Sequence, residues 1–304
     1  MAHILKKLTT QFILAVALTV PTLADLNAGN IAYVAGDFET AYAEYLQSAK
    51  DGDEQAQQYL AELLYEGQGT ELDYAAAFYW FEQLAQKGSV DAQGYLGNMY
   101  ELGEGVAADP QLSYGWYLKA ALQGHAHSQY ALGVYYDQGV IIEQDLTQSA
   151  EWFAKAAEQG DLKAQFNLAN YYETGTGLPQ DMSLAVAWYA AAADEGFAPA
   201  QANLARLYYN GTNGVEKNLA QAAKLYKAAA DQGIGLAQQK LAIMYYNGES
   251  VEKDYLLAHM YFSLAAAQNV NNAEKFKTAA AGNLSAESLA QAQKMQAEWI
   301  AAHQ

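Results

Sequence analysis

The one histidine cluster of the chain, His125-Ala126-His127, is where metal chemistry would first be sought. Two imidazoles this close grip a metal ion when a carboxylate joins them. The pair stands in a turn just before Ser128, in place of residues that vary elsewhere, and we assign no metal to it. The 34 Asp and Glu could supply an acid/base pair. However, Asp73, Asp109, Asp145, Asp181, Asn218 and Asp254 recur at helix starts, where such side chains act as caps. Gly67-Gln68-Gly69, Gly103-Glu104-Gly105 and Gly175-Thr176-Gly177 have the look of phosphate cradles, yet no Gly-Lys-Ser/Thr follows any of them. No His-Glu-x-x-His or Gly-x-Ser-x-Gly occurs, and the absence of Cys excludes disulfides and thiolate chemistry. The expectation is a chain with no catalytic residues, no metal and no cofactor.

The elements around these residues form a repeat. Ala56-Gln57, Ala92-Gln93, Ser128-Gln129, Ala164-Gln165, Ala200-Gln201 and Ala237-Gln238 are spaced by 36, 36, 36, 36 and 37 residues. Four residues after each anchor stands Leu60, Leu96, Leu132, Leu168, Leu204 or Leu241, followed by a small residue that lets a neighbouring helix approach. Eight residues on is Leu64, then Tyr100, Tyr136, Tyr172, Tyr208 and Tyr245. Apolar residues at spacings of four predict a helix. A glycine (67, 103, 139, 175, 211, 248) ends it. A second helix starts at the Asp or Asn caps and carries an aromatic or apolar pair: Trp80-Phe81, Trp116-Tyr117, Trp152-Phe153, Trp188-Tyr189, Leu225-Tyr226 or Tyr261-Phe262. Four of the five Trp share that position and are expected in the core. It closes at Gly88, Gly124, Gly160, Gly196 and Gly233, with Asn269 in the last copy. Asp37 stands 36 residues before Asp73, so a second helix precedes the full units, after a short partner over about Leu26 to Val34. Ala273 to Ala281 reads as a last first helix, and Leu284-Ser285 opens a capping helix to about Ala302.

The formal charge is −18, from 16 Lys+Arg against the acids, which repels nucleic acid and anionic membranes and suits solubility or a basic protein partner. At the N-terminus, Lys6-Lys7, the apolar run Phe12 to Val20, and Thr22-Leu23-Ala24 read as a secretory signal peptide over residues 1–24, cleaved after Ala24. The apolar run is too short for a membrane span, and no second one follows. A periplasmic or secreted protein is expected.

The unit Ala-Gln-x-x-Leu-Gly/Ala-x-x-Tyr, Gly-x-Gly, Asp, Ala, Trp-Tyr/Phe, Ala-Ala, Gly resembles the Sel1-like repeat, a relative of the tetratricopeptide repeat with a longer inter-helix loop. The resemblance covers about Leu26 to Trp299, and the stretch Leu284 to Gln293 is similar to the closing helix of bacterial members. It implies an all-α fold: a right-handed α/α solenoid of helix-turn-helix repeats of about 36 residues, a single domain over residues 25–302. Seven helix pairs are expected, the short first one included and the capping unit counted separately. It also implies a non-enzymatic scaffold in the cell envelope or outside the cell that binds another protein, with a polysaccharide- or peptidoglycan-associated factor, or a β-lactamase-like hydrolase, as the alternatives. A cysteine-rich bacterial subgroup is linked to β-lactam hydrolysis, and this chain lacks its cysteines.

In tetratricopeptide-like solenoids the first helices line a concave groove. Residues two, six and nine past each anchor lie off the Leu face and are expected to point into it. In the central repeats these are Tyr130, Val134 and Asp137, then Phe166, Asn170 and Glu173, then Arg206 and Tyr209, the candidate partner-binding set.

Overall fold

A computed structural model describes residues 26–211 and 214–303. The expected signal segment lies outside the described residues. Among them are sixteen α-helices and no strand. They run α1 Leu26–Val34, α2 Phe38–Lys50, α3 Glu54–Glu66, α4 Tyr74–Gln86, α5 Val90–Leu102, α6 Pro110–Leu122, α7 Ala126–Gln138 and α8 Leu146–Glu158. The second half holds α9 Leu162–Thr174, α10 Met182–Asp194, α11 Ala198–Asn210, α12 Leu219–Asp231, α13 Gly235–Asn247, α14 Tyr255–Ala267, α15 Ala273–Ala281 and α16 Ala286–Ala302. Two compact units are formed: one of α1 to α4 with residues 104–106, the other of α5 to α16. Within each, helices pack on their neighbours in sequence, and α16 folds back on α14.

Capping sets the helix boundaries. Asp37, Asp73, Asp109, Asp145, Asp181, Asn218 and Asp254 each accept a backbone N–H of the helix they open. The first helices are also capped, at Asp53, Ser89, His125 and Asp161, whereas α11 and α13 start at Phe197 and Ile234 without a side-chain cap. Each first helix of the full units ends on a left-handed glycine, such as Gly139 at φ 66°. The second helix's cap then closes the loop: Asp145 N–H donates to the Tyr136 carbonyl at 3.0 Å, and the other units repeat this.

The core lies between the first and second helices. A Cβ on Gly133 would fall 2.5 Å from the Phe153 ring, so the small residue after each Leu is where a second-helix ring seats. That ring is the second of the aromatic pair. Phe81, Tyr117, Phe153, Tyr189, Tyr226 and Phe262 are all 2% exposed or less. The expectation that the tryptophans form the core needs correction: Trp80, Trp116 and Trp188 are half-buried, and Trp152 alone of the four is buried. Lys119 and Lys155 lie over Trp116 and Trp152, 3.8 Å and 3.9 Å from the ring centroids, which marks one side of that position as the molecule's edge. The residue seven past the anchor (Leu63, Met99, Tyr135, Tyr171, Leu207, Met244) is a core residue that the four-residue spacing missed. At position eight Leu64 is buried, and the tyrosines from Tyr100 to Tyr245 are half-buried.

Candidate functional site

The second unit's first helices carry two further sets of side chains beside that core, one of buried glutamines and one of half-buried aromatic, apolar and polar residues. The deeper layer is built from the anchor glutamines. Gln129 is 5% exposed, and its Nε2 donates to the Ala121 carbonyl at 3.1 Å. Its Oε1 accepts from Gln159 Nε2 at 2.7 Å, thirty residues on. Gln93–Gln123, Gln201–Gln232 and Gln238–Gln268 make the same rung at 2.8, 3.0 and 3.0 Å. These amides tie one helix pair to the next and are used up in doing so.

The outer layer holds the eight residues singled out from the sequence, all of them half-buried. Tyr130 packs its ring 5.8 Å from Phe153, and Val134 sits against the same cluster. Phe166 lies between Tyr189 and Phe197, at 5.8 and 5.7 Å. The aromatics therefore have one face on the fold. The polar members are joined into a network. Glu173 accepts from Arg206 Nη2 at 2.6 and 2.7 Å. Tyr189 Oη lies 2.9 Å from Glu173 Oε2 and 2.5 Å from Asn170 Oδ1, one proton shared by two acceptors. Asn203 Nδ2 donates to that same Oη at 3.1 Å. Asp137 accepts from the Tyr171 hydroxyl, and Tyr209 donates to Glu249 at 2.7 Å.

Sequence reasoning missed Tyr189, Asn203 and the serines beneath this layer. Ser113 Oγ donates to the Gly97 carbonyl at 2.7 Å and lies 3.0 Å from Tyr135 Oη. Ser149 repeats this with Gly133 at 2.8 Å and Tyr171 at 2.9 Å. The signal was present: only these two units have Ser at that position, and the units after them alone have Tyr seven past the anchor.

The surroundings keep the phenols of this network protonated. Burial first, and then the charge of Glu173, holds the Tyr189 phenol well above its ordinary range. Burial and the bond to Asp137 do the same for Tyr171, and burial with Glu249 pushes Tyr209 up to about 12. At neutral pH these phenols are fixed donors to carboxylates. His125 spends its Nδ1 on the α7 N-terminus, 3.3 Å from Ser128 N, while its Nε2 is 3.9 Å from Asp91. Among the described residues no group of three or more His, Asp or Glu is gathered to hold a metal ion.

Six consecutive copies of the Sel1 repeat match residues 54–89, 90–125, 126–161, 162–197, 198–234 and 235–270. A crystallised Sel1 repeat protein from Oxalobacter formigenes is 29% identical, with a TM-score of 0.73, over 80% of this chain and 100% of that one. The protective antigen c5321 of uropathogenic Escherichia coli, which displays an SLR fold, is 25% identical with a TM-score of 0.49, over 90% of this chain and 84% of its own. The immunity protein Pa5087 of Pseudomonas aeruginosa is 21% identical with a TM-score of 0.42, over 71% and 82%. No curated protein matches the chain. With six phased repeats spanning residues 54–270, the chain belongs to the Sel1 repeat family.

Proposed function

We propose that this protein is a non-enzymatic interaction scaffold whose partner protein binds along the outer layer of the first helices. Sel1 repeat proteins are in general protein-interaction scaffolds. The observation that carries the reading for this chain is the contrast between two sets of positions on the same helices. The packing positions scarcely change between repeats. Position six, by contrast, runs Glu62, Asn98, Val134, Asn170, Arg206, Ile243. Such a face combines anchored aromatics with preorganised donors and acceptors, the makings of a hot spot. Lys6-Lys7, the apolar run that follows and Ala24 support export, which would put the scaffold in the bacterial envelope or outside the cell.

The test is capture of the native partner by the tagged protein, repeated with Tyr130→Ala plus Arg206→Ala. Arg206 is 39% exposed in its side chain, and Glu173 keeps Tyr189 when the guanidinium is lost, so the fold survives. Capture that is unchanged in the folded double variant would refute the face. A glycan-binding alternative is favoured by one feature: Tyr79, 55% exposed, stands edge-on to Trp80 at 5.1 Å, an aromatic pair suited to a sugar ring. A glycan array with wild type and Tyr79→Ala separates the two readings.

A further inference from the structure

In repeat arrays a polar outer face on the end helix keeps the protein soluble. The first described helix, α1, carries an apolar one. Ile31 is 71% and Val34 87% exposed, three residues apart and so on one side of the helix. Tyr33 beside them stands edge-on to Phe38 at 5.3 Å. Glu66, the last residue of α3, lines the same cavity as Tyr33 and Val34 and is exposed. Among the described residues its carboxylate has no ion pair and no hydrogen bond. The first unit therefore offers aliphatic side chains beside a free carboxylate.

The second unit offers the complement. A cavity of about 360 Å³ lies between Ile243 and Tyr246 of α13 and Phe276 and Ala279 of α15, with Phe262 as its floor. The Phe276 ring stacks on Phe262 at 5.5 Å and is still 36% exposed. This volume is at the lower end of the roughly 300–1,000 Å³ that holds a small organic molecule, so it takes a pair of aliphatic side chains. Lys275 stands at the rim. Its neighbour Lys277 pairs with Glu274 at 3.0 Å, whereas Lys275 is exposed and, among the described residues, has no such partner. The wider charge follows the same division. Residues 26–88 hold two Lys and eleven Asp or Glu, while from Arg206 onward nine Lys and Arg meet eight acids.

We propose that the occupant of this cavity is a second copy of the chain, whose Ile31 and Val34 enter it while Glu66 pairs with Lys275. One sequence carries both halves of the match: an apolar projection beside an anion, and an apolar recess beside a cation. Two first units cannot serve each other, because both are acidic and would repel. The contact is therefore heterologous, first unit to second unit of another copy, and it adds copies in a row or a ring instead of closing a two-fold dimer. This goes beyond the scaffold reading and uses none of the residues from Tyr130 to Tyr209 on which that reading rests.

Light scattering on the full chain from about 5 to 500 µM tests it. The mean mass is expected to rise with concentration, with weak association because so small a contact buries well under about 1,200 Å². Glu66→Lys and Lys275→Glu each bring like charges together and should lower the association constant at least about fivefold. Both positions are exposed, so circular dichroism should be unchanged. An equimolar mixture of the two variants should recover association, since each keeps the surface that the other now needs. Val34→Asn, at an exposed site, should also weaken association and serves if a charge reversal fails to fold. A monomer throughout the range, association insensitive to these changes, or a mixture no more associated than its components overturns the proposal. Partner capture by the Tyr130→Ala, Arg206→Ala variant is scored separately, so either idea can fail without the other.

Discussion

Glu195→Gln should stabilise the protein, and the glutamine rungs say why. Gln165 donates its Nε2 to the Ala157 carbonyl at 3.2 Å, as its counterparts do. Its Oε1 is buried with no hydrogen-bond partner. The donor that serves Gln93, Gln129 and Gln238 comes from a glutamine thirty residues on, and thirty residues after Gln165 stands Glu195. An ionised carboxylate has no proton to give to an acceptor. Leaving a buried acceptor unpaired costs about 1–3 kcal/mol. Ordering an otherwise free glutamine takes back on the order of 1 kcal/mol, so a net gain of about 1 kcal/mol is expected. Repeat arrays lose stability locally, so urea unfolding is to be combined with hydrogen exchange of the α9 and α10 amides. Removing one negative charge from so acidic a chain also stabilises it, which the Gln165→Ala background controls for. There the charge effect persists and the rung cannot form. An equal gain in both backgrounds, or no gain in the wild-type background, refutes the reasoning.

Phe153→Ala should cost about 3–5 kcal/mol and Trp188→Ala about half that, because the first ring is 1% exposed and the second half-buried; urea unfolding of both variants checks the order. Ser149→Ala should cost about 1 kcal/mol, and adding Tyr171→Leu should recover part of it, since other units pair Ala with Leu or Met at these positions; a double-mutant cycle measures the coupling. Burial raises the phenols of Tyr45, Tyr114 and Tyr209 to about 12. A folded pKa above the unfolded value means that the neutral phenol favours folding. That stability is therefore complete below about pH 10 and is lost as pH rises from there to about 12. Spectrophotometric titration alongside circular dichroism should show phenolate and loss of helix together in that window, and ionisation of all tyrosines near pH 10 in the folded protein would contradict it.

Local chemistry made the helix boundaries legible. The short α1, the Asp and Asn caps of the second helices and the closing glycines stand where the repeat places them, because capping and left-handed turns are decided by residues within a few positions of each other.

Which member of an adjacent pair reaches the core was decided only in three dimensions. Trp116 and Tyr117 differ by about 100° around the helix, and both suit an apolar side. The ring that meets the small residue of the paired first helix wins: a Cβ on Gly97 would stand 2.4 Å from Tyr117. The polar partners were likewise decided by stacking. Arg206 meets Glu173 33 residues back, Tyr189 meets it from 16 residues on, and Gln159 meets Gln129 across 30. A helical period specifies the face on which a side chain stands, but the neighbour that satisfies it comes from the packing of helix on helix, within a pair for Tyr189 and Gln159 and between pairs for Arg206.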